Sequence, residues 1–176
     1  MGGKLKHYHD PNGAHVRIYH SLIKSAAWRG MSPTATSLFI DLRVKLNSSN
    51  NGNINAVFTE LKHHGWRSKT TLHKALRELE ALGFIAKTRQ GGIAGMSRIC
   101  SLYRFTDLDS YEFPALDVPP SKATHDYRIF VSLKEAVAAR RDSHNARRRV
   151  TSSGDKAKVH ELDLSAPQSG PNSPVY

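Results

Sequence analysis

Lys62-His63-His64-Gly65-Trp66-Arg67-Ser68-Lys69-Thr70-Thr71-Leu72-His73-Lys74-Ala75-Leu76-Arg77-Glu78-Leu79-Glu80-Ala81-Leu82-Gly83 is the stretch on which the fold turns. Leu72, Ala75, Leu76, Leu79 and Leu82 recur at the spacing of one helix face, so a helix is predicted from Ser68 to Leu82. Ser68 suits its N-cap, and Gly83 suits the position just past its end, where positive φ is common. Upstream, residues 56–64 place Val57, Phe58 and Leu61 inward on a short helix that Gly65 closes. Only Gly65-Trp66-Arg67 separates the two. A short helix, a tight turn and a longer amphipathic helix make a helix-turn-helix pattern.

Downstream the period changes. Phe84 to Arg89 reads as a strand, Gln90 to Gly95 as a flexible loop and Arg98 to Phe105 as a returning strand, a hairpin in the position of a wing. Upstream, Ser32-Pro33 starts a helix with Ala35, Leu38, Phe39, Leu42 and Leu46 on one face and Asp41, Arg43 and Lys45 opposite. Asn47 to Gly52 is a polar turn, and residues 53–55 allow a very short strand. Residues 15–19 read as a short strand or an extended lead-in. Ser21 to Trp28 supplies one or two helical turns, Gly30 breaks them, and Trp28 anchors the lead-in.

Past Asp107, Pro114, Pro119 and Pro120 mark a strap without periodicity. A helix over 132–149, with Phe130, Leu133 and Val137 sharing a face, ends in Arg147-Arg148-Arg149. The expected class is α+β: a mainly helical winged helix-turn-helix domain over 31–107, with three core helices and a β-hairpin wing. Around it stand an N-terminal arm with a short helix (1–30), the strap (108–131), a basic helix (132–150) and a Ser-, Pro- and Gly-rich tail (151–176). That tail is too poor in apolar residues to order itself.

The 176 residues suffice for one domain with appendages. Lys and Arg number 26 against 15 acidic residues, a formal charge of +11 that favours a polyanionic partner, nucleic acid before anionic membrane. The excess is local: residues 67–107 hold eight Lys and Arg against three carboxylates, a net charge of +5, whereas residues 31–66 carry +1. Cys100 is the single cysteine, which excludes an internal disulfide and a multi-thiolate zinc site and fits a reducing, cytoplasmic setting. No signal-type or spanning apolar segment is present, so a soluble, nucleoid-associated protein is expected.

The run Gly65 to Leu72, continuing through Ala75-Leu76-Arg77-Glu78-Leu79, Gly83-Phe84-Ile85 and Thr88-Arg89-Gln90-Gly91-Gly92, resembles the winged-helix proteins of proteobacterial plasmids, prophages and integrative elements. Ser25 to Trp28, Met31-Ser32-Pro33, Ser101-Leu102-Tyr103 and Thr124 to Tyr127 extend the resemblance over about residues 15–130. It implies duplex DNA binding. Members are described as transcriptional regulators or as replication-associated proteins, so the resemblance itself selects no process.

The third helix offers Ser68, Lys69, Thr70, Thr71, His73, Lys74 and Arg77 to a duplex, its first turn entering the major groove. Lys69, Thr70 and Thr71 are the expected base contacts and Lys74 and Arg77 the phosphate contacts, with Ser68 mainly a cap. Lys62, His63 and Arg67 are candidate phosphate ligands at the second helix and turn; the His63-His64 pair reads equally as a solvent-facing helix end. Trp66 is assigned to the core. In the wing the candidates are Lys87, Arg89, Gln90 and Arg98, and the apolar tip residues Ile93 and Met96 favour phosphate contact over groove reading.

Arg140, Arg141, Arg147, Arg148 and Arg149 could clamp a DNA backbone or solvate an oligomerisation helix; the short apolar face without Trp argues against a membrane helix. His7, His9, His15 and His20 lack the partners of a metal site, and Cys100 is expected to point into the core. No nucleophile-base arrangement, phosphate loop or paired carboxylate set is recognisable, so neither an enzyme nor a cofactor is expected. The expected function is sequence-specific duplex DNA binding by a homodimer or cooperative oligomer, as a transcriptional regulator from a mobile element. The alternatives are a replication or partition accessory on iterated repeats and a protein-interaction module without DNA binding.

Overall fold

The computed structural model describes residues 13–145 apart from Gly95. The arm before residue 13, Arg147 to Arg149 and the tail lie outside the described residues.

Two short helices open the chain: α1 (His20–Ile23) and α2 (Ala26–Gly30). Ser25 joins them, its Oγ donating to the Leu22 carbonyl (2.6 Å) and accepting from the Trp28 amide (3.1 Å). Gly30 ends α2, as expected, and is buried so closely that a Cβ there would stand 2.8 Å from the Ala136 methyl. Residues 13–19 form no strand and are the extended lead-in.

Helix α3 (Pro33–Val44) starts as its sequence dictates, with Ser32 Oγ accepting from the Ala35 amide and Pro33 in the first turn, where no N–H is needed. Ala35, Leu38, Phe39 and Leu42 are fully buried. Arg43, expected on the solvent face, is instead buried (3% exposed) in a bidentate pair with Asp107. The turn that follows is held by Asn51, also buried. Its amide reaches the carbonyls of Phe105, Leu108 and Asp109, and its Oδ1 accepts from the Phe105 amide (2.7 Å).

After β1 (Ile54–Asn55) come α4 (Phe58–Leu61), its 3-10 continuation Lys62–His64, and α5 (Lys69–Ala81). Strands β2 (Ile85–Arg89), β3 (Gly92–Ala94), β4 (Ser97–Ile99) and β5 (Leu102–Phe105) follow. A three-stranded antiparallel sheet has the order β1-β5-β2, and β3 pairs with β4 separately. The architecture is mixed α and β with a small antiparallel sheet.

The hairpin therefore departs from the expected strand-loop-strand. Gly92 to Ala94, read as loop, is paired strand, and the return is interrupted at Cys100-Ser101, where the Gly91 amide donates to Ser101 Oγ (2.9 Å). Cys100 sits in that interruption and is half-buried, not a core residue. Between Lys87 and Arg89 the register shifts, and Thr88 Oγ1 donates to the Gly52 carbonyl (2.7 Å).

The strap carries 3-10 turns at Pro114–Leu116 and Asp126–Ile129 and buries Val118 and Tyr127. A last helix, α6, runs over residues 133–145, with Ser132 Oγ accepting from the Glu135 amide at its start. Its contact differs from the expected Phe130-Leu133-Val137 face: Ala136 is fully buried, Phe130 and Val137 are half-buried, and Leu133 is 44% exposed. One core holds all of this. Phe39 and Phe84 each meet Trp28 edge-on, Phe105 meets Phe39 likewise, and Tyr127 stacks on Phe84 at 5.7 Å.

Candidate functional site

The α4–α5 turn is built from three groups. Gly65 takes φ 92° as the cap of the 3-10 turn, a conformation that favours glycine. Trp66 is buried (8% exposed), as expected, and its Nε1 donates to Asp41 Oδ2 (2.7 Å). His64 Nδ1 lies 3.7 Å from the other oxygen of the same carboxylate. Asp41, read from sequence as a solvent-face residue, thus fixes the turn to α3. Ser68 Oγ then accepts from the Thr71 amide (3.3 Å), satisfying one free amide of the first turn of α5. Ser68→Ala is expected to lower the unfolding free energy by about 1 kcal/mol and Ser68→Gly by a few tenths. Urea unfolding of the two variants checks this.

Leu72, Ala75, Leu76, Leu79 and Leu82 are buried, which fixes how α5 is rotated. Thr70, His73, Lys74 and Arg77 fall on the ridge opposite that stripe by helical periodicity; the first three are exposed and Arg77 is half-buried. Lys69 and Thr71 are exposed on the two flanks: Lys69 Nζ lies over the Phe58 ring at 5.7 Å, and Thr71 lines a cleft toward α3. Lys62, His63 and Arg67 are exposed beside the turn.

Both acidic residues of α5 are withdrawn from this surface. Glu78 is 1% exposed and accepts from the Ser32 amide (2.5 Å) and Ser32 Oγ (2.9 Å), with His144 Nε2 at 3.2 Å. Glu80 pairs with Lys87 of β2 at 3.6 Å. The outward ridge of α5 is left with cations, hydroxyls and an imidazole. Sequence reasoning missed Glu78 because its partners lie 46 and 66 positions away.

On the hairpin, Arg89 reaches the Cys100 carbonyl (3.4 Å) while its Nε, like that of Arg77, is buried without a hydrogen-bond partner among the described residues. Gln90 is exposed and bonds only to the neighbouring Gly91 carbonyl, among the described contacts. Ile93 and Met96 stand out at 78% and 103% exposure. Arg98 belongs to β4, but its side chain lies outside the described part of the structure.

Helix α6 brings Arg140, Arg141 and His144 against the same side of α5. Arg140 donates to the Gly30 carbonyl (2.8 Å) and Arg141 is exposed. Together with Ser32, Thr34, Thr71, Lys74, Ala75 and Glu78 they line a cleft of about 440 Å³. Burial and the nearby Lys74 ammonium hold the His144 imidazole below its ordinary range, against the opposing pull of Glu78.

Among the described residues no three His, Cys, Asp or Glu side chains converge as a metal-binding group, and no helix is long and apolar enough to cross a membrane. Comparison with family models, with curated proteins and with solved structures finds no match.

Proposed function

We propose that this chain is a winged helix-turn-helix protein that binds duplex DNA in a sequence-specific manner, as a bacterial transcriptional regulator carried by a mobile element. Helix α5 is its recognition helix and the β2–β5 hairpin its wing. The observation that carries the reading is the outward ridge of α5, where Thr70, His73, Lys74 and Arg77 stand together while Glu78 and Glu80 are turned away into partners of their own. A merely solvated helix has no need to bury one carboxylate and pair the other.

The rotation of α5 refines the roles. Thr70, His73 and Arg77 face base edges in the major groove, whereas Lys69 and Thr71 on the flanks reach phosphates on either side, as do Lys62, His63 and Arg67 from the turn. One such unit covers few base pairs, so two copies acting as a dimer or cooperatively on repeated half-sites complete the recognition.

The test is selection of a site from random duplexes by the full-length protein, followed by anisotropy titrations over a range of salt. Affinity is expected to fall steeply with salt, in proportion to the phosphates neutralised. Thr70→Ala combined with Arg77→Ala is expected to weaken the selected site by about 30-fold and to flatten discrimination against mismatched sites. Binding without salt dependence, or a double variant that still discriminates, overturns the proposal.

A further inference from the structure

We propose that the cleft between α3, α5 and α6 is a phosphate-binding site that grips the duplex backbone beside the bases faced by α5, making α6 a clamp. This rests on the DNA-binding reading above. Three elements separated in sequence converge on the cleft: Ser32 and Thr34 from the start of α3, Thr71 and Lys74 from α5, and Arg140, Arg141 and His144 from α6. Lys74, Arg140 and Arg141 bring positive charge. The one carboxylate among the lining residues, Glu78, is fully engaged by Ser32 and His144 at 1% exposure.

The choice of occupant follows from position. Lys74 both lines the cleft and stands on the outward ridge of α5, so an anion held here continues the proposed DNA surface instead of lying apart from it. A backbone phosphate beside the read segment meets that geometry, with hydroxyl donors from Thr34 and Thr71 and charge-assisted donors from Lys74 and Arg141.

A proton is linked to this binding. His144 faces Lys74 and Glu78 on α5, Arg140 and Arg141 on its own helix, and Ser32 and Thr34 on α3. In the free protein burial, and then the Lys74 and Arg140 cations, favour neutral imidazole. A bound phosphate opposes those cations and favours imidazolium, so binding takes up a proton and strengthens as pH falls through the histidine range.

Anisotropy titrations with the full chain, on the selected duplex and over a range of salt, test the clamp through Arg141→Gln, which removes an exposed charge. Lys122→Gln, an equal charge loss at the exposed partner of Asp109, is the control. Arg141→Gln is expected to weaken binding about 5-fold and lower the salt slope by about 1, with Lys122→Gln unchanged. Wild-type affinity is expected to rise between about pH 8 and about pH 6, and His144→Gln to remove part of that rise. Arg141→Gln indistinguishable from Lys122→Gln overturns the clamp while leaving the DNA reading intact; wild-type protein without salt-dependent binding overturns both. Inorganic phosphate separates the sources. Competition with the duplex, together with a shift of the His144 imidazole resonances, supports the site; the same shift without competition assigns the cleft to a free small anion and overturns the clamp.

Discussion

Asp107→Ala is expected to lower the unfolding free energy by about 3–5 kcal/mol, the loss seen when one partner of a buried ion pair is removed. Arg43 and Asp107 are 3% and 8% exposed, and two guanidinium nitrogens engage the two carboxylate oxygens. The remaining Nε–H donates to the Arg17 carbonyl (3.3 Å), and the guanidinium lies 4.4 Å from the Phe105 ring centroid and 5.4 Å from that of Phe39. Without Asp107 this cation stays surrounded by aromatic rings and a single carbonyl, a buried charge without its counter-ion.

The pair is also a strut. It fastens the last turn of α3 to the residues just past β5 and, through Arg17, to the lead-in. Arg43→Met combined with Asp107→Leu removes both charges and keeps the volume, so it is expected to recover most of the loss. Urea unfolding of the single and double variants decides. A cost below about 1 kcal/mol for Asp107→Ala is incompatible with the buried pair described.

How much of this was legible in the sequence depends on how far apart the responsible residues are. The stripes of α3 and α5, the caps at Ser32 and Ser68, the stop after Leu82 and the inward Trp66 are all set by neighbours within a turn or two, and periodicity and capping chemistry show them. Arg43 carried no local sign of burial, because what neutralises it lies 64 positions later. Its place in the sequence, between Leu42 and Val44 on an amphipathic helix, is that of an ordinary solvent-face cation. Asn51 is similar: five polar residues and a glycine read as a turn, yet one of them is the buried staple at the end of β5, the central strand.

In the hairpin the two flanking strands were legible and the tip was not, for a different reason. Gln90-Gly91-Gly92 has the composition of a loop, and only the cross-strand partners Ile99 and Arg98 make residues 92 and 93 a strand. In the candidate site, the α5 surface and its rotation were readable together, because the buried stripe is the one that periodicity marks. The seating of Lys69 over Phe58 was not, since that contact joins two separate helices. The role of α6 was least accessible, since Glu78, Ser32 and His144 meet only in the fold.

Gly83→Ala is expected to cost about 2–5 kcal/mol, and a comparison with Gly65→Ala separates the two causes. Both glycines hold positive φ, 73° and 92°, and an alanine in either place bears the left-handed backbone penalty of about 1–2 kcal/mol. At Gly65 nothing stands within 4 Å of an added Cβ, so that penalty is the whole cost. At Gly83 the added carbon meets the backbone of the strap, 2.6 Å from the Asp126 carbonyl carbon and 2.7 Å from the Tyr127 nitrogen. Backbone cannot swing aside like the end of a side chain, and overpacking of this kind adds about 1–3 kcal/mol.

Relief by moving the strap is blocked from the other side. Thr106 Oγ1 donates to the Gly83 carbonyl (2.6 Å), and the Thr106 carbonyl accepts from the Thr124 and His125 amides at 2.9 Å each, so strap, hairpin and helix end are bonded as a unit. Tyr127 stacks on Phe84 directly beneath. The contact lies where α5 passes into the hairpin, the two elements proposed to straddle DNA. Gly83→Ala should therefore reduce duplex affinity beyond the fraction unfolded; Gly65→Ala, which lies in the turn beside Lys62, His63 and Arg67, serves as the reference for stability only. Equal unfolding free energies for the two variants in urea would mean that the strap does not press on the end of α5, and with it the reason for the added loss of duplex affinity would be lost.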